Sequence, residues 1–157
     1  MDLTALFKMS YGLYVVCADD GARRAGCIVN TATQVTADPV QIMVAVHKDN
    51  VTTGVIERAG AFSVTVVDRT ADMPYIGNFG FRSSATYDKF EKYETRVSEV
   101  GAPYCRLVKT VDVGTHMLFI GEAEQAERLA DTEPLTYAAY HSELKGKTPP
   151  KASSYQG

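Results

Sequence analysis

The sequence predicts a mainly β protein, a closed antiparallel barrel with a few short helices. Short aromatic or β-branched runs recur along the chain, and Gly, Asp and Pro turns separate them. Only three stretches carry helix signals. Closure is expected in place of a sandwich because it leaves no exposed strand edge.

Taken in order, Thr4 to Met9 is a short helix candidate. Gly12 to Cys17 (GLYVVC) reads as a strand that ends on the turn residues Asp19, Asp20 and Gly21. Cys27 to Val29 is the returning half of a hairpin. Gln41 to Val46 (QIMVAV) is apolar at successive positions, as in a strand covered on both faces. Asn50 caps a helix over Val51 to Ala59, and Gly60 stands where a left-handed stop belongs. Ala61 to Val67 alternates Phe62, Val64 and Val66 on one face. Asp72 before Met73-Pro74 starts another helix. Val108 to Val111 supplies a further strand, and Met117 through Ala126 a long one that bends at Gly121. Lys145 to Ser154 is a Lys-, Pro- and Ser-rich tail, expected to wrap over another surface or to stay loose.

A chain of 157 residues fits one domain spanning 1–157. It is 45% hydrophobic and 22% charged with a net charge of −3, which argues against nucleic acid as a partner. The three cysteines, Cys17, Cys27 and Cys105, show no C-x-x-C spacing, so neither a disulfide framework nor a zinc site is expected. Such thiols suit small core positions in a reducing compartment. The N-terminus has no signal-peptide pattern and no apolar run reaches about 20 residues, so the expected location is the cytoplasm, with no membrane partner.

Common catalytic motifs are absent. No G-x-G-x-x-G follows a strand, no G-x-S-x-G occurs, and His47, His116 and His141 are dispersed. Two polar clusters remain. Asn30 to Thr36 (NTATQVT) leaves a strand with five hydrogen-bonding side chains in seven residues. On composition alone this suits a solvated loop of β-formers; the sharper reading is a loop that grips a flat ring with a polar edge, because Asn, Gln and backbone amides both donate and accept. His47 to Thr53 (HKDNVTT) places a cation and a capped helix start at a strand end, a combination that receives phosphate. The simpler reading is that Asn50 caps and Lys48 is solvated.

With these clusters in order, the chain resembles the flavin-reductase-like, FMN-binding split-barrel family, in particular its ferric-reductase and high-molecular-weight-rubredoxin types. The resemblance rests on YGLYVV (11–16), CIVNTATQVTADPVQI (27–42), HKDNVTT (47–53), YIGNFGFRSS (75–84), DVGTHMLFIGEA (112–123) and LTYAAYHSELKGKTPPKASSY (135–155). It implies a six-stranded antiparallel Greek-key split barrel, a homodimer, one FMN per subunit, and NADH or NADPH as hydride donor. It also implies site residues. Asn30, Thr31, Gln34, Val35 and Thr36 would line the isoalloxazine and ribityl chain, and Lys48, Asn50 and Thr53 would meet the phosphate. Phe79, Phe81 and Arg82 would complete the pocket, and His116 would stand near the nicotinamide as the catalytic candidate. No metal ligand is implied. Reduced flavin would pass to a ferric complex, oxygen or a redox partner protein. The alternative is a flavoredoxin-like electron carrier that makes no efficient use of NAD(P)H.

One departure concerns the stretch where Gly101-Ala102-Pro103-Tyr104 runs directly into Cys105-Arg106-Leu107-Val108. Relatives usually carry a strand-length segment here. A loop missing between Tyr104 and Cys105 is expected, since deleting a barrel strand opens an edge.

Overall fold

In the computed structural model, which describes residues 2–93 and 104–155, seven antiparallel strands form one sheet. They are β1 (Tyr14–Asp19), β2 (Arg24–Val29), β3 (Ala32–Ala37), β4 (Val40–His47), β5 (Ala61–Val66), β6 (Tyr104–Asp112) and β7 (His116–Gln125). The order across the sheet is β2-β1-β5-β6-β7-β4-β3. Three α-helices accompany it: α1 (Val51–Ala59), α2 (Met73–Gly80) and α3 (Tyr137–Ser142). The helix expected over Thr4 to Met9 is a 3-10 turn, Leu3–Lys8. No helix among the described residues is long and apolar enough to cross a membrane.

The expectation of six strands in a closed barrel needs correction. The segment read as a polar loop contains β3, which pairs with β4 from Ala32↔Val44 to Ala37↔Val40. Thr, Val and Gln fit a pleated strand, and at a sheet edge they need no apolar alternation to do so. Among the described residues β2 and β3 are the two edges, so the sheet is not closed by hydrogen bonds.

Local chemistry explains the rest. In the β1–β2 turn, Asp19 Oδ1 accepts the Gly21 amide at 2.8 Å, and Asp20 Oδ1 accepts those of Ala22 and Arg23. Asn50 accepts the Thr52 amide, and Gly60 ends α1 at φ 64°, as its sequence predicts. Gly121 is glycine for a packing reason. A Cβ there would lie 2.6 Å from Cys105 Cβ and 2.7 Å from the Phe62 ring.

The sheet separates two cores. Val16, Val44, Val46, Ile56, Phe62 and Phe119 fill the one beneath α1. Leu13, Val15, Ile76, Phe79, Leu135 and Tyr140 fill the one beneath α2 and α3. Strand β1 serves both, and Val15 and Val16 on its opposite faces are each fully buried. Burial of such a side chain contributes about 1.5–3 kcal/mol, so β1 anchors both layers. Cys17, Cys27 and Cys105 are buried and form no disulfide, as expected of core cysteines. Tyr104 and Cys105 are successive residues of β6, and the register against β7 shifts between them. Gly101, Ala102 and Pro103 lie outside the described residues.

Candidate functional site

The ends of β2, β4 and β7 and the start of α1 meet at one place, and the C-terminal tail runs across them. His47 closes β4 and His116 opens β7, and the two are register partners. Their rings lie edge to face with centroids 5.0 Å apart. His116 Nδ1 is 2.9 Å from the Thr115 hydroxyl, and Nε2 is 3.3 Å from the Lys151 carbonyl. A carbonyl only accepts, so the proton sits on Nε2 and Nδ1 accepts from Thr115. Burial is the largest influence on this imidazole and lowers its pKa from 6.5. The Lys151 carbonyl opposes the shift and His47 adds to it. His116 is therefore a neutral donor near neutral pH.

Asn30 and Thr31 connect β2 to β3. The Asn30 side chain is buried at 5% exposure. Its Nδ2 donates to Ser154 Oγ at 2.6 Å, and its Oδ1 accepts from Ser153 Oγ at 2.8 Å and from Thr31 Oγ1 at 3.3 Å. Thr31 Oγ1 also lies 2.6 Å from Ser153 Oγ. Lys151 Nζ donates to the Asp49 carbonyl beside the start of α1. Tyr137 OH meets Thr148 Oγ1 at 2.5 Å, and Tyr140 OH donates to the Lys147 carbonyl. Each such bond contributes about 0.5–1.5 kcal/mol net. Several in one short segment hold the tail on the body of the protein, which agrees with the expectation of a wrapping tail.

The other sequence-predicted residues are distributed as follows. Gln34 Nε2 donates to the Thr36 carbonyl, Thr36 Oγ1 donates to the Pro39 carbonyl, and Val35 is exposed; all three lie on edge strand β3. Lys48 Nζ is 2.6 Å from Asp112 Oδ2, an ion pair at the mouth of the β6–β7 turn. That lysine holds the Asp112 carboxyl below its usual range. Asn50 caps α1, and Thr53 Oγ1 donates to the His47 carbonyl. Phe81 is exposed and lines a small cavity of about 30 Å³ with Ile28, Asn30, Pro149 and Ala152. Arg82 lies over the Tyr87 ring at 4.2 Å. Phe79 is at 1% exposure in the second core, against Tyr75 and Phe90. The structure thus brings Asn30, Thr31, Thr53 and His116 to one end of the sheet, with Phe81 beside Asn30, and it places Phe79 in the interior.

Sequence reasoning missed three contributors. The first is His47, whose nearness to His116 depends on strand register. The second is the tail hydroxyls of Ser153 and Ser154, for which the small hydroxyl residues of the tail were the one visible signal. The third is Lys89, at 2% exposure, which donates to the carbonyls of Gly26 (2.7 Å) and Phe79 (3.0 Å). Burial lowers its pKa, and the thiols of Cys27 and Cys17 oppose that shift. Lys89 ties the end of α2 to β2, and so sets where Gly80 and Phe81 emerge.

Beside the tail lies a groove of about 910 Å³ lined by Met9, Tyr11, Tyr137, Ser153, Ser154 and Tyr155. This is within the usual size of small-molecule sites, and its walls combine aromatic faces with a few hydroxyls. A second hollow of about 470 Å³, between β5 and residues 127–134, contains none of the sequence-predicted site residues. No three His, Cys, Asp or Glu residues among those described are grouped to hold a metal ion.

Comparison with known proteins identifies the family. Residues 6–143 match the family described as flavin reductase like domain. The chain is 44% identical to a ferric-chelate reductase (NAD(P)H) of Archaeoglobus fulgidus, over 99% of this chain and 98% of that one. It is 39% identical to a high molecular weight rubredoxin of Moorella thermoacetica, over 99% of this chain and 72% of that one. Among solved structures, an NADH:FAD oxidoreductase of Streptomyces globisporus superposes with a TM-score of 0.73 at 22% identity, covering 84% of each chain. With a family match over most of its length and a relative at 44% identity along the whole of it, the chain belongs to the flavin-reductase-like family.

Proposed function

We propose that this chain is an NAD(P)H-dependent flavin reductase that binds FMN at the end of the sheet where Asn30, Thr31 and His116 meet. The observation that carries the reading is full-length similarity to a ferric-chelate reductase, together with the convergence of the family's polar motifs at that end. The residues present suit a flavin. Strand β3 is an edge, so backbone donors and acceptors on its open side are available to a ring with a polar rim. We assign Thr31, Gln34, Val35 and Thr36 to the ring and ribityl side, with Asn30 beneath them. Lys48, Asn50, Thr53 and Arg82 take the phosphate side, and Phe81 supplies an apolar wall. Phe79, being internal, acts by supporting Phe81.

FMN held by these residues would supply the hydride acceptor for NADH or NADPH and the electron donor for a ferric complex, oxygen or a partner protein. The chain's own work is binding, orientation and exclusion of water. His116 donates from Nε2 and carries no charge, so it adds no repulsion beside a nicotinamide that becomes cationic on giving up hydride.

We further read the protein as a cytoplasmic homodimer whose curled sheet is the family's split barrel, the whole chain 1–157 forming one domain. Buried cysteines that form no disulfide support the reducing compartment. The dimer is supported by the sheet face opposite the first core, where Met43 pairs with Ile120 and Ala45 with Leu118. None of these four belongs to either core cluster. We read the junction of Tyr104 and Cys105, where the register against β7 shifts, as the place where relatives carry additional residues.

The deciding experiment is anaerobic. Purified protein is loaded with FMN, its visible spectrum recorded, and NADH and then NADPH added. Bleaching within seconds establishes the reductase and its nucleotide. A bound flavin that ignores both nucleotides would instead mean an electron carrier, and failure to bind FMN would overturn the reading.

A further inference from the structure

The groups that the sequence assigned to the flavin are already engaged by the chain itself. Asn30 Oδ1 accepts from Ser153, whose oxygen lies 2.6 Å from the Thr31 hydroxyl, and the Asn30 amide donates to Ser154. The His116 imidazole donates to the Lys151 carbonyl. Lys151 Nζ is fixed on the Asp49 carbonyl, and Ser154 Oγ reaches Tyr137 OH at 3.5 Å. Residues 151–154 therefore cross the site as a strap, tied at β2, β7, α1 and α3.

Two geometric facts decide what the strap does. Beneath it, between Asn30, Ile28 and Phe81, only about 30 Å³ remains, room for a water and not for a three-ring system. On its other side, Ser153, Ser154 and Tyr155 line the groove of about 910 Å³ together with Met9, Tyr11 and Tyr137. Of these two spaces, only the one on the groove side of the strap has the volume of a small-molecule site.

We propose that Asn30 is a positioning residue. It anchors the strap Lys151–Tyr155, and the strap forms one wall of the flavin site and meets the cofactor in its place. This rests on the flavin-reductase reading above. Asn30 is chosen for the task because one buried amide both donates and accepts, so it holds two successive serine hydroxyls at once. An aliphatic residue of similar size would remove the one group that bonds both serines, leaving Ser153 only Thr31 and Ser154 only Tyr137.

The test uses the full chain with FMN as probe. In the strap, Ser153→Ala/Ser154→Ala removes the anchor from the exposed side, and Asn30→Ala removes it from the buried side. Trypsin cleavage at Lys151–Ala152, followed by mass spectrometry, reports whether the strap is held. The proposal expects faster cleavage in both variants, slower cleavage of the wild type when FMN is bound, and FMN binding weakened about tenfold by the strap variant alone. The combined variant should be little worse than Asn30→Ala, because both act through one wall. Far-UV circular dichroism confirms the fold, and the serine variant carries the test if Asn30→Ala does not fold. Unchanged or tighter FMN binding by the serine variant, or FMN that speeds cleavage of the wild type, would overturn the proposal and make the tail a bystander or a competitor. A wild-type chain that holds its strap against trypsin but binds no FMN would overturn the flavin reading itself.

Discussion

His47 and His116 stand side by side on adjacent antiparallel strands, rings edge to face at 5.0 Å, yet they make different bonds. His47 Nδ1 accepts the Asp49 amide, whereas His116 donates to the Lys151 carbonyl. Burial of His116 lowers its pKa below 6.5, so as pH falls the unfolded chain takes up this proton first. Its contribution to stability is therefore complete above pH 6.5 and is lost as pH drops toward the folded pKa. His116→Gln keeps an N–H for Lys151 and cannot titrate. Its melting temperature should fall less than the wild type's between about pH 7.5 and 5. Equal slopes for the two proteins would show that His116 titrates alike in the folded and the unfolded chain.

The same imidazole is the catalytic candidate, and kinetics test that role separately. His116→Ala should raise KM for NAD(P)H about tenfold, the cost of one hydrogen-bonding or packing contact to the nucleotide. Steady-state assays at saturating FMN read this directly. Unchanged nucleotide dependence would remove His116 from the nicotinamide side.

Gly121 sits where β7 crosses above Cys105 and Phe62, and no side chain fits there. Gly121→Ala should destabilise the fold by about 1–3 kcal/mol, since the displaced atoms belong to rigid, fully buried residues. Urea titration should show a lower midpoint with an unchanged slope. A midpoint equal to that of the wild type would mean that the strands separate at no cost.

How much of this was legible follows the range of the interactions. Helix α1 could be read because its signals are local, Asn50 at one end and Gly60 at the other. Strands β1 and β5 carry their β-branched and aromatic residues in one short run. Strand β3 could not, because an edge strand exposed along most of its length lacks the alternation that marks a strand. The YIGNFGFRSS motif was half legible. In α2, Phe79 lies three residues after Ile76 and four after Tyr75, so helical spacing turns it to the core, while Phe81 falls past the last turn. Lys48 shows the limit. Its carboxylate partner, Asp112, is 64 residues away and becomes a neighbour only through the registers of β4 with β7 and of β7 with β6.

Lys89 gives a prediction about the second core. Its ammonium donates to the carbonyls of Gly26 and Phe79, and no space exists at Gly26 for rearrangement, with Cys17 Sγ 2.8 Å from a Cβ placed there. Lys89→Met preserves the volume and leaves both carbonyls without that donor. The expected loss is about 1–3 kcal/mol, larger than for a surface lysine, together with weaker FMN binding because Phe81 is released. Lys89→Arg should recover part of both. Chemical denaturation and flavin titration measure the two effects, and a Met variant as stable as the wild type would mean that the carbonyls find other donors.

The outer face of the sheet tests the dimer. Met43, Leu118 and Ile120 are half-buried in one chain and neighbour one another across β4 and β7, while charged Arg106, Glu122 and Glu124 pair at one border of the patch. An apolar centre with a charged rim is the usual anatomy of a subunit interface. Leu118→Glu places a carboxylate in the centre of that patch, close to its own copy if the face is shared by two-fold symmetry. Light scattering after size-exclusion chromatography should then shift the mass from about two chains to one, with far-UV circular dichroism unchanged because the substituted side chain points away from the first core. If FMN sits close to this interface, the monomer should also bind it more weakly. A Leu118→Glu protein that remains dimeric would move the interface to another face.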